Sequence, residues 1–219
     1  MRGRARSVRP IPVHLPEQTT ENEQDPNVKK SGEEVRPRKQ QHPKPPDTFF
    51  LDRDGTLNVK PPPGEYVTSP AELTLLPGAA AAVRRINESE RPAILVTNQR
   101  GVARGIMSEG DLAAVQRRLA ELLGAEGAFL DACYSCVHDE GGCDCRKPRP
   151  GLLTRAAADF PGLALPDAVV IGDTESDVLA GRAAGTATVR LAAKAPDSAA
   201  DLVAADLWTA VDLLLKGGW

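Results

Sequence analysis

The chain has 219 residues, 41% hydrophobic and 26% charged, with a formal net charge of −3. That composition suits one globular domain with some additional chain, and its core is large enough to need no disulfide staples. No apolar run approaches the roughly 20 residues of a membrane span, and no apolar stretch of about 7–15 residues follows the Arg-rich start, which argues against membrane insertion and secretion and predicts a cytoplasmic protein.

Aromatic residues make up only 4% while Ala, Val and Leu are plentiful, a balance that predicts helices packed on a sheet in preference to a β sandwich. Charge is uneven. Residues 1–46 hold ten Lys and Arg against six acids, leaving 17 basic and 24 acidic residues beyond them. This stretch has no Phe, Tyr or Trp and no helical or strand periodicity, so it cannot bury enough apolar surface to offset its ordering entropy. We expect a disordered basic extension over 1–46 and a globular domain over 47–219. Such a tail can touch nucleic acid or an acidic partner, but the plainer expectation is a solvated extension.

From Thr48 onward, short apolar runs alternate with helical stretches. "TFFLD" (48–52) reads as a buried strand and "GAAAAVRRINES" (78–89), led by Pro77, as a helix. "PAILVTN" (92–98) is the next strand. "SEGDLAAVQRRLAELLG" (108–124) is an amphipathic helix with Ser108 as N-cap and Gly124 at its end. A strand over 128–136, a helix over 150–160, a strand over 167–173, a helix over 175–184, a strand over 186–191 and a helix over 206–216 complete the alternation. The pattern predicts an α/β fold with a doubly wound parallel sheet, whose ligands gather at the carboxyl ends of the strands.

Those ends carry Asp52-Arg53-Asp54-Gly55-Thr56, Thr97-Asn98-Gln99, a cysteine cluster running into Arg146-Lys147, and Gly172-Asp173 followed by Asp177. Each alone is an ordinary turn sequence. Together they bring acids, a hydroxyl, an amide and a lysine to one edge, and clustered carboxylates repel unless chemistry or metal keeps them. At an effective dielectric near 20, each like-charge pair at about 4 Å costs about 4 kcal/mol. An oxygen-only set of this kind suits hard Mg²⁺, which bridges to a substrate phosphate.

"FLDRDGTLN", "LVTNQRGVARG", "CRKP" and "VVIGDTESDVLAG" resemble, in order, the four motifs of the haloacid dehalogenase superfamily of aspartyl-phosphate phosphatases, over about residues 48–191. The resemblance implies a Rossmann-like sheet, with Asp52 as nucleophile and Asp54 as the acid and base that serves the leaving alkoxide and then the attacking water. Asp54 needs a pKa raised above its free value near 3.9, or a transient proton load, to act as acid. The resemblance places Thr97, Asn98 and Lys147 around the phosphoryl oxygens, Mg²⁺ on Asp52, Asp173 and the Asp54 carbonyl, and Asp177 beside Lys147 or a metal water. Between the motifs there is room for a flap and ordinary elements but for no separate cap domain, so loops select the substrate. Arg104 and Arg146 are the candidates, since an arginine fork suits a second phosphate or carboxylate.

All four cysteines lie within Cys133–Cys145. In a reducing compartment such a cluster more often binds metal or does redox chemistry than forms structural disulfides. Cys136-x-His138 and Cys143-x-Cys145 offer two short ligand arms joined by a Gly-containing reversal, the set a structural tetrahedral Zn²⁺ needs. Cys133 offers a rival pairing with Cys136, but strand parity puts it on the opposite face, as a small buried thiol.

Within the superfamily, "DRDGTLN", "TNQRGVARG" and the Cys-x-His…Cys-x-Cys-Arg-Lys-Pro loop resemble the heptose-bisphosphate and histidinol-phosphate phosphatase branches, which implies a small phosphomonoester as substrate. The short linker from His138 to Cys143 is closer to the histidinol type, whereas "GVARG" is of the heptose type and is given the greater weight. We therefore expect a monomeric sugar-bisphosphate phosphatase. A nucleic-acid 3′-phosphatase is disfavoured by the acidic body and by the lack of stacking aromatics near the motifs. A non-catalytic phospho-ligand module would not need both Asp52 and Asp54.

Overall fold

The computed structural model describes residues 13–14 and 44–218. Strands β1 (Val13–His14), β2 (Thr48–Leu51), β3 (Ala93–Asn98), β4 (Ala132–Cys136), β5 (Ala168–Gly172), β6 (Ala187–Leu191) and β7 (Leu202–Ala204) form one parallel sheet in the order β1-β4-β3-β2-β5-β6-β7. Helices α1 (Ala79–Glu88), α2 (Glu109–Ala125), α3 (Gly151–Asp159), α4 (Glu175–Ala184) and α5 (Leu207–Leu215) connect and cover it. Every residue of β2, β4 and β5 is buried, as expected of strands covered on both faces.

Alternation along the strands divides the core in two. Phe49, Leu51, Leu95, Cys133, Val169 and Ile171 point to the face packed by α1, α2 and α5. Phe50, Ile94, Val96, Tyr134, Cys136 and Val170 point to the face packed by α3 and α4. The opposite facing of Cys133 and Cys136 follows from this period of two. Local chemistry starts the helices where the sequence predicts. Ser108 Oγ accepts from the Asp111 amide at 3.1 Å while the Asp111 carboxylate accepts from the Ser108 amide at 2.9 Å, a reciprocal cap on α2.

Three features depart from the sequence reading. The strand expected over 128–136 is regular only from Ala132: the Asp131 amide still donates to the Ala93 carbonyl at 2.8 Å, but the Ala93 amide donates to the Asp131 carboxylate at 2.8 Å in place of a backbone carbonyl. The short strand β7 was not anticipated; its three residues are too few to show a period. Val13–His14 pair with Cys133 and Tyr134 of β4, inside the segment expected to lack regular structure; the rest of that segment, up to residue 43, lies outside the described residues.

The connection from β2 runs through α1 to β3 on one side, whereas that from β5 runs through α4 to β6 on the other. Between the carboxyl ends of β2 and β5 the chain therefore reverses direction across the sheet, which opens a crevice. No separate cap domain stands between β2 and β3 or between β3 and β4 among the described residues. No helix of the described residues is long and apolar enough to cross a membrane.

Candidate active site

Asp52 leaves β2 directly into the crevice, its amide donating to the Ile171 carbonyl of β5 at 3.0 Å. Lys147 is buried beside it. The ammonium lies 2.7 Å from Asp52 Oδ1 and 2.5 Å from Asp177 Oδ1, and donates to the Val96 carbonyl at 2.8 Å. Burial alone would lower the Lys147 pKa, but the charges of Asp177 and Asp52 outweigh it and hold the ammonium above its ordinary value. Burial pushes Asp52 up to about 7, with Lys147 pulling it down and Asp177 adding to the push.

Asp54 sits in a different environment. Arg53, fully buried, donates through Nε and Nη2 to the two oxygens of Asp54 at 3.2 and 3.1 Å, and through Nη2 to Gln99 Oε1 at 3.0 Å. Asn58 Nδ2 donates to Asp54 Oδ1 at 2.9 Å, and Gln99 Nε2 donates to Asp54 Oδ2 at 3.1 Å and to Thr97 Oγ1 at 2.9 Å. Burial acts to raise Asp54, yet the Arg53 charge and these hydrogen bonds prevail and hold the carboxyl below its usual range. Two carboxylates two residues apart are thus driven in opposite directions, a pattern that marks functional sites.

Thr97 is buried at the end of β3, level with this network. Asn98, expected among the phosphate-binding groups, has both ends of its amide engaged elsewhere: Nδ2 donates to the Lys147 carbonyl at 3.0 Å and Oδ1 accepts from the Lys147 amide at 3.1 Å. Its side chain pins the backbone that carries the lysine. Arg53, Gln99 and Asn58 are functional neighbours that the sequence reading passes over. The available signal was an arginine between two aspartates at the mouth of a buried strand, where an isolated charge needs partners.

Asp173 follows β5 and faces Asp52 and Asp177, the ligand oxygens of the three lying within 4.8 Å of one another. Asp173 Oδ1 is buried and has no hydrogen-bond partner, while Oδ2 accepts from Lys60 Nζ at 2.6 Å. An orphaned carboxylate oxygen within an all-oxygen cluster fits a hard divalent cation such as Mg²⁺. Asp177 is also held by α4, whose first turn it caps: its Oδ2 accepts from the Thr174 amide at 3.1 Å and from Thr174 Oγ1 at 2.5 Å.

Gly55 keeps this cluster open. Its φ is +90°, and a Cβ at this position would run into the Asp173 carboxylate. Gly55→Ala is expected to combine left-handed strain with displacement of Asp173, lowering both the melting temperature and the affinity for Mg²⁺; calorimetric unfolding and metal titration check it.

At the end of β4, Cys136, His138, Cys143 and Cys145 bring their ligand atoms within 4.8 Å of one another. Cys136 Sγ lies 3.6 Å from Cys143 Sγ and 3.9 Å from His138 Nδ1, which lies 3.3 Å from Cys145 Sγ. Tetrahedral zinc with bonds of about 2.3 Å to sulfur sets its ligand atoms about 3.7 Å apart, whereas a disulfide needs about 2.05 Å. The neighbouring Cys145, with the other groups of the cluster, draws the Cys136 thiol down to about 5 against the opposing effect of burial, while Cys136 and burial push Cys145 up. Three sulfurs and an imidazole nitrogen at these separations match the donor set of tetrahedral Zn²⁺. Cys133 stays apart on the other face, and burial pushes its thiol up to about 12.

The loop bearing these ligands is tied to the one after β3. Arg100 pairs with Asp139, and also with Glu140 at 2.6 Å; Arg146 lies 4.0 Å from Glu140 and its buried Nη1 has no hydrogen-bond partner. Arg104 is exposed, with Tyr66 as its main neighbour. Arg146 therefore stands next to the buried lysine with donors to spare, whereas Arg104 lies farther out.

The crevice, the opposed pair Asp52 and Asp54, and the lysine clamped between carboxylates define a hydrolase of one class: the chain belongs to the haloacid dehalogenase-like hydrolases, whose family model matches residues 47–185. Among curated relatives, the D-glycero-beta-D-manno-heptose-1,7-bisphosphate 7-phosphatase of Mesorhizobium japonicum is 39% identical over 147 residues, which cover 64% of this chain and 66% of that protein, just under two thirds of it. The D-glycero-alpha-D-manno-heptose-1,7-bisphosphate 7-phosphatase of Mycobacterium tuberculosis is 34% identical over 166 residues, 73% of this chain and 87% of that protein. The solved structure of D,D-heptose 1,7-bisphosphate phosphatase from B. bronchiseptica, complexed with magnesium and phosphate, superposes with a TM-score of 0.71 at 30% identity, covering 77% of this chain and 98% of that one.

Proposed function

We propose that this hydrolase is a Mg²⁺-dependent phosphatase that removes the 7-phosphate of D-glycero-D-manno-heptose 1,7-bisphosphate, acting as a cytoplasmic monomer through its domain at 47–219, with 1–46 as an extension. The observation that carries the reading is the meeting of Asp52, Asp173 and Asp177 in the β2–β5 crevice, with the buried Lys147 paired to Asp52 and Asp177. Relatives named for both anomers of this heptose support the substrate class.

An Asp52 oxygen attacks phosphorus, the bond from phosphorus to the sugar oxygen breaks, and Asp54 supplies the proton that the leaving alkoxide takes up. Asp54 then draws a proton from water as that water attacks the aspartyl-phosphate, which frees phosphate and restores the Asp52 carboxylate. In the free site Arg53, Asn58 and Gln99 keep Asp54 ionised, the form the second step needs; for the first, the negative charge of the bound ester has to raise it. Lys147 and Thr97 hold the phosphoryl oxygens, and Asn98 fixes the lysine backbone. Asp52, Asp173 and the Asp54 carbonyl would hold Mg²⁺, which neutralises charge on the phosphoryl group. Cys136, His138, Cys143 and Cys145 would hold structural Zn²⁺.

Phosphate release from heptose bisphosphate, histidinol phosphate and a 3′-phosphorylated oligonucleotide, with and without Mg²⁺, tests the assignment. Fastest turnover of the heptose ester, abolished by a chelator, is expected; preference for histidinol phosphate or for the oligonucleotide would replace it. For recognition, Arg146→Ala is expected to raise KM for the bisphosphate by about tenfold, the worth of one hydrogen bond to a charged group, with little change for p-nitrophenyl phosphate. Arg104→Ala is expected to change either KM much less, and initial-rate kinetics on the two substrates check both variants.

A further inference from the structure

The loop leaving the nucleophile motif is anchored as far as residue 59. Asn58 is fully buried and donates to Asp54 and to the Val59 carbonyl, and the Val59 amide donates to the Thr74 carbonyl at 2.8 Å. Lys60 comes next. Its side chain is 50% exposed, yet its ammonium reaches across 113 positions in sequence to Asp173 Oδ2 at 2.6 Å.

Two cations therefore serve the acidic cluster, and they are built differently. Lys147 is buried and bonds Asp52, Asp177 and the Val96 carbonyl, so removing it would strand two buried carboxylates. Asp173 receives nothing from Lys147 among these contacts. Lys60 neutralises it through one contact, from a flexible stem half in water whose backbone anchor lies before it. An ion pair of that exposure is worth about 1 kcal/mol or less, so the ammonium can leave at small cost.

We propose that Lys60 is an exchangeable cation on Asp173 that competes with the divalent metal for this carboxylate and so sets the metal affinity of the site. The inference rests on the reading of Asp173 as a metal ligand. A metal ion and an ammonium on the same carboxylate repel each other, so metal uptake includes the release of Lys60.

Mn²⁺ binding to the full chain, followed by electron paramagnetic resonance or calorimetry with no substrate present, tests it. Lys60→Met is expected to bind Mn²⁺ between about twofold and fivefold more tightly than the parent chain, and Lys60→Arg to return close to the parent affinity. Unchanged or weaker binding in Lys60→Met overturns the proposal. Asp173→Asn is expected to lose Mn²⁺ binding; parent-like binding by that variant overturns the metal-ligand reading itself, so the two failures are told apart.

Discussion

Asp52→Asn is expected to abolish phosphate release, by at least about 10⁴-fold, while making the metal-free protein more resistant to heat. The loss follows from removing the oxygen that would form the phosphoenzyme. The gain follows from burial. In the folded chain burial pushes Asp52 up to about 7, whereas in the unfolded chain the carboxyl has its ordinary value near 4. A raised folded-state pKa favours the protonated form, so the wild-type protein loses stability as pH rises from about 4 through about 7, and an amide at this position escapes that loss. Lys147 keeps Asp177 as a partner in the variant. Thermal melts in a chelator should show no advantage for Asp52→Asn near pH 4, an advantage growing up to about pH 7, and a plateau above. A variant less stable than wild type at pH 8 would mean that the bond to Lys147 outweighs the burial of the charge.

The second large effect belongs to the cysteine loop. Cys145→Ser is expected to lower zinc content sharply and kcat/KM by about a hundredfold, although residue 145 is not among the groups proposed to meet the substrate. The reason is position along the chain. Cys145 lies two residues before Lys147, and the other ties on this stretch are few: the Asp144 carbonyl accepts from the Gly151 amide at 3.2 Å, the Arg146 carbonyl accepts from the Arg149 amide at 2.9 Å, and the Asn98 side chain holds the Lys147 backbone. Losing a ligand frees the loop, and a small displacement of the ammonium weakens its hold on Asp52. Cys133→Ala is the matched control. It removes a buried thiol from the other face of β4, where it lies in the cluster with Leu95 and Val169, and should leave zinc content and kcat/KM near wild type. Metal analysis alongside kinetics separates the two variants.

Much of the fold was legible because it depends on local pattern. Buried runs such as Thr48–Leu51 and Ala168–Gly172 announce parallel strands, and Ser108 announces the start of a helix. The side chains at the strand ends were legible for the same reason: once the strands are placed, Asp52, Thr97 and Asp173 must share an edge. Other properties arise only when distant segments meet. Asn98 reads as a polar strand exit, and nothing local says that it will hold the backbone of Lys147, 49 positions later. The proximity of Arg53 to Asp54 is local, but the hydrogen bonds that Gln99 adds to both are tertiary, and against burial the Arg53 charge and these bonds lower a carboxyl that the chemistry first needs raised. Lys60 looks like a solvated flap residue until Asp173 arrives from β5.

Strand order has a consequence for how activity fails. β2 occupies the middle of the sheet, with three strands on either side, while the loop that delivers Lys147 issues from β4, the second strand from one edge. Interior strands open only with the whole fold, whereas peripheral segments open at lower free energy. Under heat or denaturant, hydrogen exchange should reach the amides around Lys147 while those of β2 remain protected, so that inactivation precedes melting and reverses on cooling for as long as the central strands persist.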